Sequence, residues 1–176
     1  MKVVGTIFAA LLMPFSFNAN AVSITTGVGN GADTFVGGMV NDPLNTNHGA
    51  GATISLKRNG HLPGSGNRIG YTRFDLSSLA GPITGTVLEI TLAALNPDNS
   101  SPTTYNIFGL NDGDAGENWD EHAITWNNAP ANVISRAVEL DPLRTTHLGA
   151  WEMPISNAPI GQTFSFSSAG LLSFLQ

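Results

Sequence analysis

The feature that most constrains how this chain can fold is a series of short stretches in which apolar and polar residues alternate. Loops rich in glycine, asparagine and proline separate these stretches. In the clearest stretch, residues 86–94, the side chains of Leu88, Ile90 and Leu92 are expected on one face. Those of Val87, Glu89 and Thr91 are expected on the other. No long segment repeats apolar residues at the helical period. The pattern therefore predicts an all-β protein, a sandwich or jelly roll of short and mostly antiparallel strands.

Other strands, and one short helix, are predicted on the same grounds. The strand at residues 68–75 is expected to point Gly70, Thr72 and Phe74 inward. Ser168 is a suitable N-cap for a short helix that follows it. The remaining predicted strands are residues 22–26, 33–36, 53–58, 105–110, 123–126 and 138–140, part of 145–155, and 162–166.

The first 21 residues have the pattern of a secretory signal peptide. Lys2 supplies the positive start, residues 3–17 the apolar core, and Ala-Asn-Ala at 19–21 the cleavage site. This apolar core is too short, and too broken by Pro14, for a membrane span. The alternative to a cleaved signal peptide is an uncleaved anchor. We therefore expect a single mature domain at residues 22–176, secreted to the extracellular space or the bacterial cell surface and not inserted in a membrane.

Composition excludes several classes of function. The chain has 13 acidic and 7 basic residues, a net charge of −6, and no basic run, so nucleic acid is an unsuitable partner. It has no cysteine, which excludes disulfides, thiol chemistry and cysteine-bound zinc. Its stability must therefore come from packing, with a structural calcium ion as the one cofactor that the loops suggest.

Residues 118–130 hold two of the three tryptophans of the chain. An acidic loop with two glycines, residues 111–117, precedes them. The motif residues in this stretch are Trp119, Glu121, Trp126, Asn127 and Pro130. The indoles have the area either to stack on sugar rings or to fill a core, and we favour the core because tryptophan buries a large surface.

Four segments together resemble a known family: residues 32–36, 71–79, 105–110 and 119–130. Their order and content are similar to the DNRLRE or disaggregatase-related domain, which is grouped with the family ninety-six carbohydrate-binding modules. The acidic loop before Trp119 is similar to members that carry a PEP-CTERM sorting signal. The resemblance implies a jelly-roll β-sandwich that binds polysaccharide without catalysis, beside alginate lyases or on bacterial surfaces.

The chain departs from the family pattern in two places. Phe35 stands where tyrosine is usual. The chain also ends at Gln176, within the short helix that precedes the final strands of the family. The resemblance therefore predicts that the final strands and any sorting tail are missing, which would leave a sheet edge unpaired.

Basic residues concentrate around one predicted hairpin. The candidate ligand-binding residues are Lys57, Arg58, Arg68, Tyr71 and Arg73. Guanidinium and ammonium groups bind carboxylates, and an aromatic face suits a sugar ring, so the ligand would be an acidic polysaccharide such as alginate or matrix exopolysaccharide. The alternative for these residues is a solvated edge that balances an acidic surface.

Three further sites are open to interpretation from the sequence. Arg73 and Glu121 suggest a buried ion pair that holds the acidic loop on the sheet, and Asp75 a cap for the turn at Ser77. Asp112 and Asp114, with Glu117 and Asp120, offer oxygen ligands to calcium, as does Asp33 with residues 45–47. For each calcium site the alternative is a solvated turn.

The sequence contains no motif whose residue spacing defines a catalytic site. The carboxylates that would serve glycoside hydrolysis are Asp112, Glu117 and Glu121, and the candidate bases are His48, His61, His122 and His147. We therefore expect no enzyme. The alternatives to a binding module are a structural protein of the cell surface or biofilm matrix, which binds other matrix components, and a polysaccharide-degrading enzyme.

Overall fold

Six strands and one short helix form the regular structure of the described residues. The computed structural model describes residues 21–37, 44–58, 66–94, 103–154 and 158–176, so the predicted signal peptide, apart from Ala21, lies outside the described residues. In chain order the elements are β1 (Ala32–Gly37), β2 (Arg68–Arg73), β3 (Leu88–Thr91), β4 (Thr103–Leu110), β5 (Thr145–Met153), β6 (Thr163–Phe166) and α1 (Ala169–Phe174).

The strands pair as three antiparallel ladders, β1 with β2, β3 with β6, and β4 with β5. The all-β prediction is confirmed, whereas the jelly-roll order and the missing final strands stay predictions. Two predicted strands reduce to isolated bridges, Lys57 with Arg68 and Leu140 with Asn132, and residues 22–26 form no strand. No helix within the described ranges is long and apolar enough to cross a membrane.

The larger core lies between the β4–β5 and β3–β6 pairs. Leu88, Ile90 and Leu92 pack against it, as the alternation predicts, while Glu89 and Thr91 are exposed. The buried residues of this core are Leu148, Trp151, Met153, Phe164, Phe166 and Leu171. Burial of these apolar surfaces is the main force that holds the two strand pairs together.

Helix α1 begins where Ser168 was predicted to cap it. The Ser168 hydroxyl accepts a hydrogen bond from the Leu171 amide at 2.9 Å and donates one to the Leu148 carbonyl at 2.5 Å. The first bond satisfies an amide that has no partner within the helix. The second attaches the helix to β5, so one side chain both starts the helix and fixes its position on the core.

A second core forms on one face of β1 and β2. Its buried residues are Val36, Ile124, Trp126 and Ala129, and Ile69 and Tyr71 pack against it. The predicted orientation of β2 is therefore reversed, since Thr72 is exposed and Gly70 faces away from this core. The cause is the segment at residues 54–56, whose Leu56 side chain covers Gly70 so closely that a Cβ there would lie 2.6 Å from it.

The predicted strand at residues 123–126 is wrong, because this stretch is a series of turns. The amides of Ala123 and Ile124 both donate to the Asp120 carbonyl, each at 3.0 Å. The Asn128 side chain then accepts from the Thr125 amide at 2.6 Å. The Asp120 carboxylate also accepts from the His122 amide at 2.9 Å, so Asp and Asn side chains supply local partners that here prevail over strand pairing.

Candidate functional site

Arg73 fastens the acidic loop and the tryptophan stretch to β2. Its Nη1 donates to the carbonyls of Trp119 at 2.8 Å and Glu117 at 3.1 Å, and its Nε donates to the Asn30 carbonyl at 2.7 Å. The guanidinium also lies over the Trp119 ring. The predicted Arg73–Glu121 ion pair is therefore wrong, since this guanidinium binds main-chain carbonyls instead of a carboxylate. The predicted function of the contact, a lock on the loop, is retained.

Tyr71 lies on the same face of β2 as Arg73. Its hydroxyl donates to the Pro130 carbonyl at 2.9 Å, and its ring meets the Trp119 ring edge-on, with centroids 6.1 Å apart. Burial raises the pKa of Tyr71 well above its usual range. The ring and the hydroxyl thus hold the tryptophan stretch in place and are not placed on an open surface for a sugar to stack on.

Trp126 is the centre of the second core. Its side chain has no exposed surface, and Nε1 approaches the Ile134 carbonyl at 3.4 Å. The neighbouring Asn127 donates from Nδ2 to Asn45 Oδ1 at 2.8 Å. The stretch at residues 119–130 therefore joins β1, β2 and the loop at 44–50 into one unit, and Trp126 is inaccessible to a ligand.

Asp33 and Glu121 line a single open cavity of about 380 Å³. The Glu121 carboxylate accepts from the Asp33 amide at 2.9 Å, and its other oxygen lies 3.4 Å from His122 Nε2. The Asp33 carboxylate accepts from the Thr26 hydroxyl. Residues Gly27, Gly29, Gly31, Gly49, Gly51 and Ala52 form the remaining wall. In the loop at 45–47, which was predicted to bind calcium with Asp33, Asn47 binds the main chain instead. Its Nδ2 donates to the carbonyls of Glu121 and Ile124.

The five predicted ligand-binding residues are not brought together on one face. Arg68 lies on the opposite face of β2 from Tyr71 and Arg73, where its guanidinium is 5.4 Å from the centre of the Phe35 ring and donates to Ser55. Lys57 is bridged to Arg68 through the backbone, and Lys57 and Arg58 are exposed. We call Lys57, Arg58 and Arg68 the basic strip.

The Asp114 carboxylate has a different partner from the predicted calcium ion. Arg144 binds it with two hydrogen bonds, Nε to Oδ2 at 2.7 Å and Nη2 to Oδ1 at 2.6 Å, and the Gly116 amide donates to it at 2.7 Å. These bonds, chiefly those from Arg144, lower the pKa of Asp114 to about 2. Asp112 is exposed. In the part of the chain that the structure describes, no three His, Cys, Asp or Glu side chains cluster as metal ligands.

The candidate catalytic groups are also dispersed. Glu121 lines the cavity, but Asp112 and Glu117 do not, and Glu117 accepts from the Gly113 amide at 2.6 Å. His48 stacks on Phe35 with ring centroids 4.1 Å apart. His61 lies outside the described residues. Glu117 and His48 are thus engaged in structural contacts.

One surface was not singled out in the sequence. Phe108 on β4 is 41% exposed and lies beside His147 on β5, with ring centroids 5.1 Å apart. Apolar residues occur at both odd and even positions of residues 105–110, a pattern that is typical of a strand buried on both faces. The open face can be recognised in the sequence from the polar residues Thr104 and Asn106 at alternate positions, and Phe108 is the next residue on that face.

Comparison with known proteins supplies the family. Residues 25–151 match the sequence profile of carbohydrate-binding module family 96, a range that includes β1 to β4 and most of β5. Neither a curated protein nor a solved structure matched the chain. The match spans well over half of the 176 residues and includes Arg73 and the whole tryptophan stretch. The chain therefore belongs to carbohydrate-binding module family 96.

Proposed function

We propose that this protein is an extracellular, non-catalytic module that binds an acidic polysaccharide such as alginate through the basic strip. Membership of a carbohydrate-binding family supports the class of ligand. The signal-peptide pattern at residues 1–21 supports export. The structural partner of Glu117, one of the candidate catalytic carboxylates, supports a binding role, because a loop amide holds this carboxylate.

The observation that carries the proposal is the geometry of the basic strip. The backbones of Lys57 and Arg68 pair directly, with the Arg68 amide 2.7 Å from the Lys57 carbonyl, and Arg58 follows in the chain. Ion pairs within the described ranges involve His122, Arg136 and Arg144, and neither Lys57 nor Arg58. Two exposed cations that have no carboxylate partner among the described residues, on a chain of net charge −6, form a local attraction for anionic sugars.

Affinity electrophoresis tests this proposal. The folded protein should be retarded in polyacrylamide that contains sodium alginate, and the retardation should weaken as salt rises because the contacts are exposed ion pairs. Replacing Lys57 and Arg58 by alanine should each weaken binding by up to about fivefold, since an exposed ion pair contributes about 1 kcal/mol at most. A gel without polysaccharide corrects the mobility for the change in net charge.

Arg136→Ala is the matched control for Arg58→Ala. Arg136 is also exposed, it pairs with Glu139 at 3.6 Å, and its loss changes the net charge by the same amount. Equal weakening by Arg58→Ala and Arg136→Ala would contradict the basic strip and indicate a non-specific charge effect. A folded protein that migrates freely in alginate would contradict the acidic ligand and favour a structural role at the cell surface.

A further inference from the structure

We propose that the outer face of β4 and β5 is a second glycan contact, on which a pyranose ring packs against Phe108 while neighbouring side chains bind its hydroxyls. We define this outer face by six residues: Thr104, Asn106, Phe108, His147, Ala150 and Glu152. The proposal rests on the carbohydrate-binding role proposed above. It assigns a surface that is separate from the basic strip, since it lies on a different strand pair.

The register of the two strands makes this face continuous. Phe108 pairs with His147, Asn106 with Ala150, and Thr104 with Glu152, and all six residues are exposed. The alternate residues Tyr105 and Ile107 point the other way, into the larger core. Four residues of strand span about 13 Å, so the outer face is a strip with an aromatic end and a polar end.

The aromatic end is held in place by its neighbours. The Phe108 and His147 rings are 5.1 Å apart and inclined at 55°, and His147 Nε2 lies 3.3 Å from Asn106 Oδ1. The pairing also shifts between Ile107 and Phe108, which is a β-bulge or irregularity. Bulges often occur beside binding sites because they re-aim a side chain. Phe108 is thus presented to solvent with a fixed neighbour and an amide within reach.

The chemistry of the outer face fits a sugar better than a protein partner. The apolar C–H face of a pyranose ring removes aromatic surface from water, while its hydroxyls need donors and acceptors beside the ring. Asn106, Thr104 and Glu152 supply these groups, and the small Ala150 leaves space between them. A protein interface needs about 800 Å² on each partner and several apolar anchors, whereas this strip has one large apolar side chain.

The charge of the outer face indicates which part of the polymer it binds. Its only carboxylate is Glu152, and its only basic group is the His147 imidazole. A surface with this balance suits the hydroxyl-rich part of a sugar chain and not its carboxylates. The basic strip would bind the carboxylates of the same polymer or of another chain.

Phe108→Ala is the direct test, with Phe108→Tyr to restore the ring and Val87→Ala as the matched control. Val87 is an exposed apolar residue, 59% accessible, that precedes β3 on another strand pair. Binding is measured in gels with sodium alginate and with hydroxyethyl cellulose as a neutral β-glucan. We expect Phe108→Ala to weaken whichever interaction the parent protein shows by about tenfold. Phe108→Tyr and Val87→Ala should bind as the parent protein does.

A nuclear magnetic resonance titration gives a second readout that is independent of electrophoretic mobility. The parent protein is titrated with whichever of the two polymers, sodium alginate or hydroxyethyl cellulose, retards it in the gel. The resonances of the Phe108 ring and of the Asn106 side-chain amide should shift. Thermal melting by circular dichroism should be the same for Phe108→Ala and the parent protein, because the lost side chain is at the surface.

The outcomes separate this proposal from the preceding one. Normal binding by Phe108→Ala, with weakened binding by Lys57→Ala and Arg58→Ala, overturns the outer face and leaves the basic strip intact. If only the neutral glucan retards the parent protein, and Phe108→Ala is no longer retarded, the result supports the outer face and overturns the acidic ligand. A parent protein that binds neither polymer overturns both proposals.

Discussion

The guanidinium of Arg73 lies over the indole of Trp119, with Cζ 5.3 Å from the ring centre, while its nitrogens bind three main-chain carbonyls. A planar, delocalised cation is suited to both contacts at once, because its faces pack on the ring and its edge donates. The acidic loop and the tryptophan stretch are therefore attached to β2 by a single side chain.

Replacing Arg73 by alanine should lower the free energy of unfolding by about 2 kcal/mol, since hydrogen bonds to a charged group contribute about that amount. Arg73→Lys should recover little of this loss, because an ammonium lacks the planar fork that reaches the carbonyls. Urea denaturation measures both changes. Arg136→Ala, which removes an arginine that is 67% exposed, should cost about 0.5 kcal/mol or less. Equal effects at the two arginines would contradict the role of Arg73.

Trp126 should be the residue whose truncation harms the fold most. Its side chain is completely buried among Val36, Ile124 and Ala129, and an alanine would leave a large cavity. We expect Trp126→Ala to cost about 3–5 kcal/mol and Trp126→Phe to cost less, because phenylalanine fills part of the space. Thermal unfolding followed by circular dichroism measures this. An unchanged melting temperature for Trp126→Ala would show that the indole is not in the core.

The sequence predicted those elements whose two faces differ in chemistry. In residues 88–92, which contain β3, apolar residues at 88, 90 and 92 alternate with polar ones, so the buried face was identified correctly. Strand β2 has no such contrast, and its faces were reversed because Gly70 is covered by a distant segment. In residues 123–126, hydrogen bonds to Asp120 and Asn128 produced turns in place of a strand. The reversal of β2 depends on a contact with another segment of the chain, whereas the turns at residues 123–126 come from local hydrogen bonds that the apolar pattern does not show.

The candidate site was harder to predict from the sequence, because strand geometry and residues distant in the chain determine which side chains meet. The five predicted ligand-binding residues are close in sequence, but neighbouring positions of a strand face opposite ways, so Tyr71 and Arg68 are separated by β2 itself. Arg144, the partner of Asp114, is 30 residues away. A loop that looks like a cation site in the sequence therefore contains an ion pair whose second member no local pattern reveals.

The Asp114–Arg144 pair should make stability depend on pH at the acidic end. Arg144 lowers the pKa of Asp114 to about 2 in the folded protein, whereas the pKa of an unfolded aspartate is about 3.9. The carboxylate therefore stabilises the fold above about pH 4, and this contribution disappears as the pH falls towards about 2. Asp114→Asn should be less stable than the parent protein at pH 7, and the difference should shrink on acidification.

Urea denaturation at pH 7, 4, 3 and 2 measures that difference. Asp75 titrates in the same range, because hydrogen bonds from Ser77 and Asn30 lower its pKa to about 2 as well. The pH dependence of the free energy of unfolding of the parent protein therefore contains contributions from both carboxylates. The comparison with Asp114→Asn isolates the contribution of Asp114. Asp112→Asn is the control, since Asp112 is an exposed neighbour in the same loop. A difference that stays constant from pH 7 to pH 2 would contradict the ion pair.

Gly70 should link the stability of β2 to the position of the basic strip. A Cβ at Gly70 would lie 2.6 Å from Leu56 Cδ2 and 2.9 Å from Ile54 Cγ2, both on the segment that leads into Lys57. Gly70→Ala should therefore displace this segment and cost about 1–3 kcal/mol, the usual penalty for overpacking. It should also weaken retention by alginate, because the Lys57–Arg68 bridge would be disturbed. Gly85→Ala is the control, since nothing lies within 4 Å of a Cβ there. Identical melting temperatures and retention for the two variants would show that the 54–56 segment does not pack on β2.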